Sequence, residues 1–219
     1  MKYCRSILFL LFVILISCHN QNDKPRQTQS VKQPASATPD TASINAPEQE
    51  PQTPDSAFLI IPGEKVGQIA LGMSAEKVNS LLGKPDSGDA AMGKSLSFWI
   101  SKSNHRPPQY VAIYTTISND ASSQHLVRQV QVTSPRFQTT DSIHTGDMIE
   151  KIRASYTLTP VAYFTNKYRE RVFIFDDEEK GIAFEVTAAD SMCTAITVHR
   201  AGEKIKQTYL PVRPDMVRL

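Results

Sequence analysis

The chain has 219 residues, of which 40% are hydrophobic, 21% charged and 8% aromatic, with 24 basic against 22 acidic side chains. Such a composition suits a globular core of one domain or two small ones, and argues against a bundle of membrane spans. The near-balance of charge lacks the basic stripe that a nucleic-acid binder needs.

At the start, Lys2 and Arg5 form a positive region ahead of an unbroken apolar run from Ile7 to Ile16. Ten residues are too few to cross a hydrocarbon core ~30 Å thick, so the run reads as the apolar segment of a signal peptide. It ends in Leu15-Ile16-Ser17-Cys18, which resembles a bacterial lipobox. The resemblance implies cleavage before Cys18 and acylation of its thiol. His19 follows, where an Asp would signal inner-membrane retention, so the expected location is the outer membrane, lipid-anchored and facing the periplasm or the cell surface. Removal of residues 1–17 leaves 22 basic and 22 acidic side chains. It also leaves Cys193 as the one thiol not carrying lipid, with no partner for an internal disulfide. Cys193 reads as a small buried hydrophobe at the start of a strand.

From His19 to Ala57 there is no Phe, Tyr, Trp, Leu or Gly, and Pro25, Pro34, Pro39, Pro47, Pro51 and Pro54 recur. This segment cannot bury enough apolar surface to offset its ordering entropy. Residues 18–57 are therefore expected to be a lipidated, disordered tether.

All nine Gly lie beyond Phe58, and two segments there look alike. At an offset of 74 residues, Ile69 meets Ile143, Gly72 meets Gly146, Glu76 meets Glu150 and Val78 meets Ile152. Each reads as a turn, a cap and a short amphipathic helix. Ser74 is an N-cap, Val78, Leu81 and Leu82 form one stripe, and Gly83 with Pro85 stop the helix. In the second copy Asp147 and Glu150 form a capping box, with Ile149, Ile152 and Tyr156 on one face. Alternating apolar runs follow each helix: Leu96–Ile100, Tyr110–Ile117 and Leu126–Val132, then Arg171–Phe175, Gly181–Val186 and Thr194–His199. Asp176 to Lys180 reads as a solvated hairpin connection.

Ile69-x-x-Gly72-Met73-Ser74-x-Glu76-x-Val78-x-x-Leu81-Leu82-Gly83-x-Pro85, with Trp99 beyond it, resembles outer-membrane lipoproteins of the SmpA/OmlA (BamE) type. The chain is also similar to the β-lactamase inhibitory protein, which repeats that kind of unit in tandem. The match covers about thirty residues of the first unit; the second has Asp147 where Met73 stands and no Gly-x-Pro after its helix. The implied fold is α+β: two related units, 58–135 and 136–219, each a short helix or helix pair packed on one face of an antiparallel sheet. The implied role is non-catalytic: binding, assembling or inhibiting another envelope protein.

Gly88-Asp89-Ala90-Ala91-Met92-Gly93-Lys94-Ser95 satisfies the phosphate-loop pattern G-x-x-x-x-G-K-[ST] letter for letter. That chemistry requires a strand before the loop and a helix after it, so that helix-end amides face the phosphates. Here a helix precedes and Leu96–Ile100 reads as a strand, so no nucleotide is expected. Asp89, Lys94 and Trp99 remain as candidate binding residues, and a small ligand or glycan held beside Gly88–Ser95 is the alternative function. Tyr163, Phe164 and Tyr168, interleaved with Lys167, Arg169 and Arg171, offer a candidate recognition edge. No catalytic motif, metal-ligand spacing or cofactor signature is present.

Overall fold

In a computed structural model that describes residues 55–121, 123–205 and 216–219, strands dominate. The signal peptide, Cys18 and almost all of the tether lie outside the described residues. Those described fall within one unit, Gln49–Leu219.

The first described element is a single 3-10 turn, Ser56–Phe58, held by Asp55, whose carboxylate accepts from the Ala57 amide at 3.0 Å. It leads into three short strands, β1 (Leu59–Ile61), β2 (Lys65–Val66) and β3 (Ile69–Ala70). Ser74 then caps α1 (Ala75–Leu82), its hydroxyl accepting from the Lys77 amide at 3.3 Å, and Gly83 ends the helix. Four antiparallel strands follow: β4 (Ser87–Ala91), β5 (Lys94–Ile100), β6 (Tyr110–Ile117) and β7 (His125–Val132). The chain returns through β8 (Gln138–Thr139), which pairs in parallel with β1, and enters α2 (Ile149–Arg153). A second meander comprises β9 (Thr159–Thr165), β10 (Arg171–Asp177), β11 (Ile182–Thr187) and β12 (Cys193–Val198), and β13 (Val217–Arg218) adds to its outer edge.

The two meanders form one antiparallel sheet of nine strands, ordered β13-β9-β10-β11-β12-β7-β6-β5-β4. They join at β7–β12, where Gln131 faces Thr197 between the pairs Val132–Ile196 and Val130–Val198. A four-stranded sheet, β3-β2-β1-β8, draws strands from both sides of the expected 135/136 boundary.

The expected α+β class is thus corrected: the protein is predominantly β, and the units are not helices laid over separate sheets. The helices have eight and five residues, and α1 buries only Val78 while α2 buries Ile149 and Ile152. Helices that short cannot cover so broad a sheet. The small sheet supplies the rest of the cover on that face through Ile60, Val66 and Ile69, all within one buried cluster with Ile113, Val130, Phe184 and Ile196. The opposite face carries its own cluster, Leu96, Ala112, Tyr114, Phe164, Val172 and Ile174, over which Ile205 and Met216 pack.

The 74-residue spacing holds in the backbone of the two turns, although their strand partners, Val127 and Cys193, lie 66 residues apart. The Gly72 amide donates to the Val127 carbonyl at 2.8 Å and the Val127 amide to the Met73 carbonyl at 2.9 Å. Gly146, Cys193 and Asp147 repeat that exchange, again at 2.8 and 2.9 Å. The second cap differs from expectation. Met148 holds the N-cap position and makes no side-chain bond to the helix, because the Asp147 carboxylate turns back to accept from the His144 amide at 2.8 Å.

Candidate functional site

The phosphate-loop look-alike is a β-hairpin. Gly88, Asp89, Ala90 and Ala91 pair with Ser97, Leu96, Ser95 and Lys94, leaving Met92-Gly93 as a two-residue turn with φ of 52° and 73°. Positive φ at both positions is the primed geometry that matches strand twist. No helix end faces the turn, so it offers no cradle of amides to a phosphate. Asp89 and Lys94 stand exposed on the outer strands, and neither enters an ion pair among the described residues. Trp99 lies apart from both, half-buried against the helix-side cluster, and its indole N–H donates to the Gly83 carbonyl at 3.1 Å. The three candidate residues therefore do not form one site.

The recognition edge divides likewise. Phe164 is buried, whereas Tyr163 is half-buried under the Arg171 guanidinium at 4.9 Å. Between β9 and β10 the Asn166 carboxamide oxygen accepts from the Tyr168 and Glu170 amides at 2.9 and 3.0 Å, which fixes the hairpin tip. Tyr168 stands 59% exposed there, with the Lys167 ammonium 5.0 Å from its ring.

That tip lines a cleft of about 680 Å³. The loop into β6, which contains the cis Arg106–Pro107 bond and Pro108, also lines it. Tyr110, Phe164 and Ala195 line it from the sheet, and Glu185 lies at its floor. A hydrogen-bonded chain holds that floor. The Tyr110 hydroxyl donates to the Gln131 carboxamide oxygen at 3.1 Å; the Gln131 NH₂ donates to Glu185 at 2.9 Å and to the Thr197 hydroxyl at 3.2 Å. Gln131, Glu185 and Thr197 are all buried, and such groups stay folded only when bonded. Cys193 also borders the cleft, but burial, reinforced by the Glu185 charge, pushes its thiol far up. It is a neutral thiol donating to the Ala195 carbonyl at 3.4 Å, without the thiolate that nucleophilic chemistry needs.

Asp176 and Asp177 are not solvated. Asp176 lies 2.9 Å from His199 Nε2, while Asp177 accepts from the Thr157 and Lys180 amides at 2.8 and 3.1 Å. The carboxylate–imidazole pair has the look of catalytic machinery, yet His199 Nδ1 faces the Arg200 carbonyl at 3.0 Å, so both ring nitrogens are engaged internally. Among the described residues no group of three or more His, Cys, Asp or Glu side chains is placed to hold a metal ion. No described helix is long and apolar enough to cross a membrane.

No family model and no curated protein matches the chain. Among solved structures it is similar to an extracellular protein containing an SCP domain from Bacillus anthracis, at 11% identity over 71% of this chain and 50% of that one, with a TM-score of 0.40. It is also similar to a DUF4309 family protein from Bacillus subtilis, at 10% identity over 63% of this chain and 88% of that one, with a TM-score of 0.37. The chain spans half the length of the first of these. Neither bears the name of the assembly-lipoprotein family that the sequence resembles.

Proposed function

We propose that this protein is a non-catalytic binding module of the cell envelope, anchored by lipid on Cys18 and carried on a long tether, whose cleft receives a segment of another envelope protein. One observation carries the reading: the cleft of about 680 Å³ has a buried, internally bonded polar floor, apolar surface from Pro107, Tyr110, Phe164 and Tyr168 among its polar lining, and a neutral thiol beside it. Such a surface can desolvate and hold a side chain. Tyr168 is the natural anchor, since an exposed aromatic at a cleft rim supplies much contact area at little entropic cost. The lipobox-like residues and the Pro-rich segment ahead of Phe58 support the envelope location.

The test is a photo-crosslinking residue at position 168 of the full chain in membranes, with Tyr168→Ala as the competing variant. One dominant crosslinked envelope protein, captured at least about tenfold less by the alanine variant in unlabelled pull-downs, is the expected result. Crosslinks spread evenly over many proteins would sink the proposal. Cys18→Ser, analysed alongside, is expected to move the protein into the soluble fraction.

A further inference from the structure

The two meanders allow a comparison inside one molecule. Counted outward from the β7–β12 seam, Ile113 faces Val130 and Ser97 faces Ile113; in the other half Phe184 faces Ile196 and Phe175 faces Phe184. Both halves carry a register shift at the same point, after Tyr114 on β6 and after Glu185 on β11. By this register Ser97 occupies the place of Phe175, Ser95 that of Phe173, and Ala90 that of Tyr163. On the helices, Asn79 stands 74 residues before Arg153.

In the second meander these places are filled. Tyr163, Phe173 and Phe175 run as a row of rings 5.9 and 6.2 Å apart, and the Arg153 guanidinium lies 5.7 Å from the last. In the first, the corresponding small and polar residues leave a pocket of about 290 Å³ between α1 and strands β4–β6. Three aromatic rings exchanged for one alanine and two serines would normally cost stability in a packed layer. An open, hydroxyl-lined pocket is a different use of the same place.

The chemistry of its lining is specific. Val78, Ile113 and the Trp99 indole make apolar walls. Ser95 Oγ and Thr115 Oγ1 lie 2.7 Å apart, and His125 Nδ1 lies 3.4 Å from Thr115, so hydroxyl and imidazole groups that both donate and accept line one side. Glu76 and Asn79 stand over them from α1. No Lys or Arg lines the pocket among the described residues, and the Glu76 carboxylate disfavours an anion. The geometry points to a neutral polyhydroxylated ring, the monosaccharide unit of a glycan, as the ligand of this pocket. Its hydroxyls match alternating donors and acceptors, and its C–H face suits an indole. The pocket shares no lining residue with the larger cleft and does not depend on what that cleft binds.

Trp99 is the one tryptophan of the chain and lines this pocket, so its emission responds to binding there; it also borders a cleft beside Phe58 and Tyr110, and the variants below separate the two. The full chain is titrated with glucose, galactose, N-acetylglucosamine and myo-inositol, with inorganic phosphate as the anionic comparison. A saturable change with at least one neutral ring, at a dissociation constant on the order of 1 mM, is expected. Ser97→Phe, which restores the ring present in the other meander, is expected to weaken binding at least tenfold and raise the unfolding midpoint. Asn79→Ala, at an exposed helix position, leaves folding intact and is expected to weaken binding several-fold. No saturable response to any of the four rings overturns the assignment, as does phosphate binding tighter than all of them. Sugar binding unchanged in both variants places the ligand elsewhere and overturns it equally.

Discussion

His199 and Asp176 are 1% and 4% exposed, and their side chains meet at 2.9 Å in the interior. Removing one member of such a pair leaves the other desolvated and unanswered, which typically costs ~3–5 kcal/mol. His199→Ala is therefore expected to lower the thermal midpoint severely, far more than a surface His→Ala such as His105→Ala, as calorimetry would measure. Gly181 adjoins this pair at φ +72°; a Cβ there would press on the His199 carbonyl and lie 2.7 Å from the Ala201 nitrogen. Backbone and buried pair thus pin the β10–β11 turn together. Asp147 carries a pH dependence. Burial alone would raise its carboxyl, but the Lys151 ammonium at 2.8 Å, the His144 amide and nearby positive charge outweigh that and hold it below the ordinary value. A carboxyl lowered on folding contributes stability that is complete above the unfolded-state value of ~4 and disappears as pH falls through the folded value. Denaturant titrations should find Asp147→Asn less stable than the parent by about 1 kcal/mol at pH 7, with the gap closing below about pH 4. A gap that persists unchanged at pH 2 would contradict this account.

Among the elements, the β4–β5 hairpin gives the clearest case of chemistry dictated by backbone. Met92 is 99% exposed and holds φ 52°, a conformation that an unbranched apolar side chain adopts at a cost and Asn tolerates well. Met92→Asn makes the turn Asn-Gly and is expected to stabilise the protein by ~0.5–1 kcal/mol, whereas Lys94→Ala should change the unfolding midpoint by less than about 0.5 kcal/mol equivalent. Strand periodicity located β5 to β7 and β10 to β12 in the sequence, because each has six or more residues and at least four apolar side chains in partial alternation with polar ones. β1, β2, β3 and β8 have two or three residues each, too few to show any period, so the second sheet was invisible. β4, as Ser-Gly-Asp-Ala-Ala, is exposed throughout and lacks apolar alternation altogether. Asp176 and Asp177 looked solvated because their neighbours are Glu178, Glu179 and Lys180; the partners that bury them, His199 and Thr157, come from distant segments. The cleft was illegible for the same reason, its lining being assembled from both meanders and the loops at their ends. Cys193, by contrast, could be read directly, since its apolar strand context already implied a buried, unreactive thiol.

At the scale of the whole molecule, one sheet runs through both meanders, and Val130, Val132, Ile196 and Val198 are fully buried at the seam. Neither half has a complete core without the other. Unfolding should therefore be a single transition reported alike by two local probes: Trp99 emission in the first meander and Cys193 labelling in the second. Thiol reagents are expected to leave Cys193 untouched in the native protein and to modify it with the same denaturant midpoint that Trp99 shows. Midpoints separated by more than experimental error would mean that the halves unfold independently. Val132→Ala should shift both probes together, by ~1–3 kcal/mol.

The seam has one more consequence. By the Val127–Cys193 equivalence, Val130, Gln131 and Val132 correspond to Ile196, Thr197 and Val198, and the observed pairs are Val130 with Val198, Gln131 with Thr197 and Val132 with Ile196. Each half thus offers the same edge to the other about a local two-fold axis at Gln131–Thr197, the arrangement of an isologous dimer written into a single polypeptide. Covalent linkage sets the effective concentration of the two edges at about millimolar or above, so their pairing does not vary with how many copies the cell makes. It also lets the halves differ, and one end of the sheet carries a row of rings where the other carries Ala90, Ser95 and Ser97.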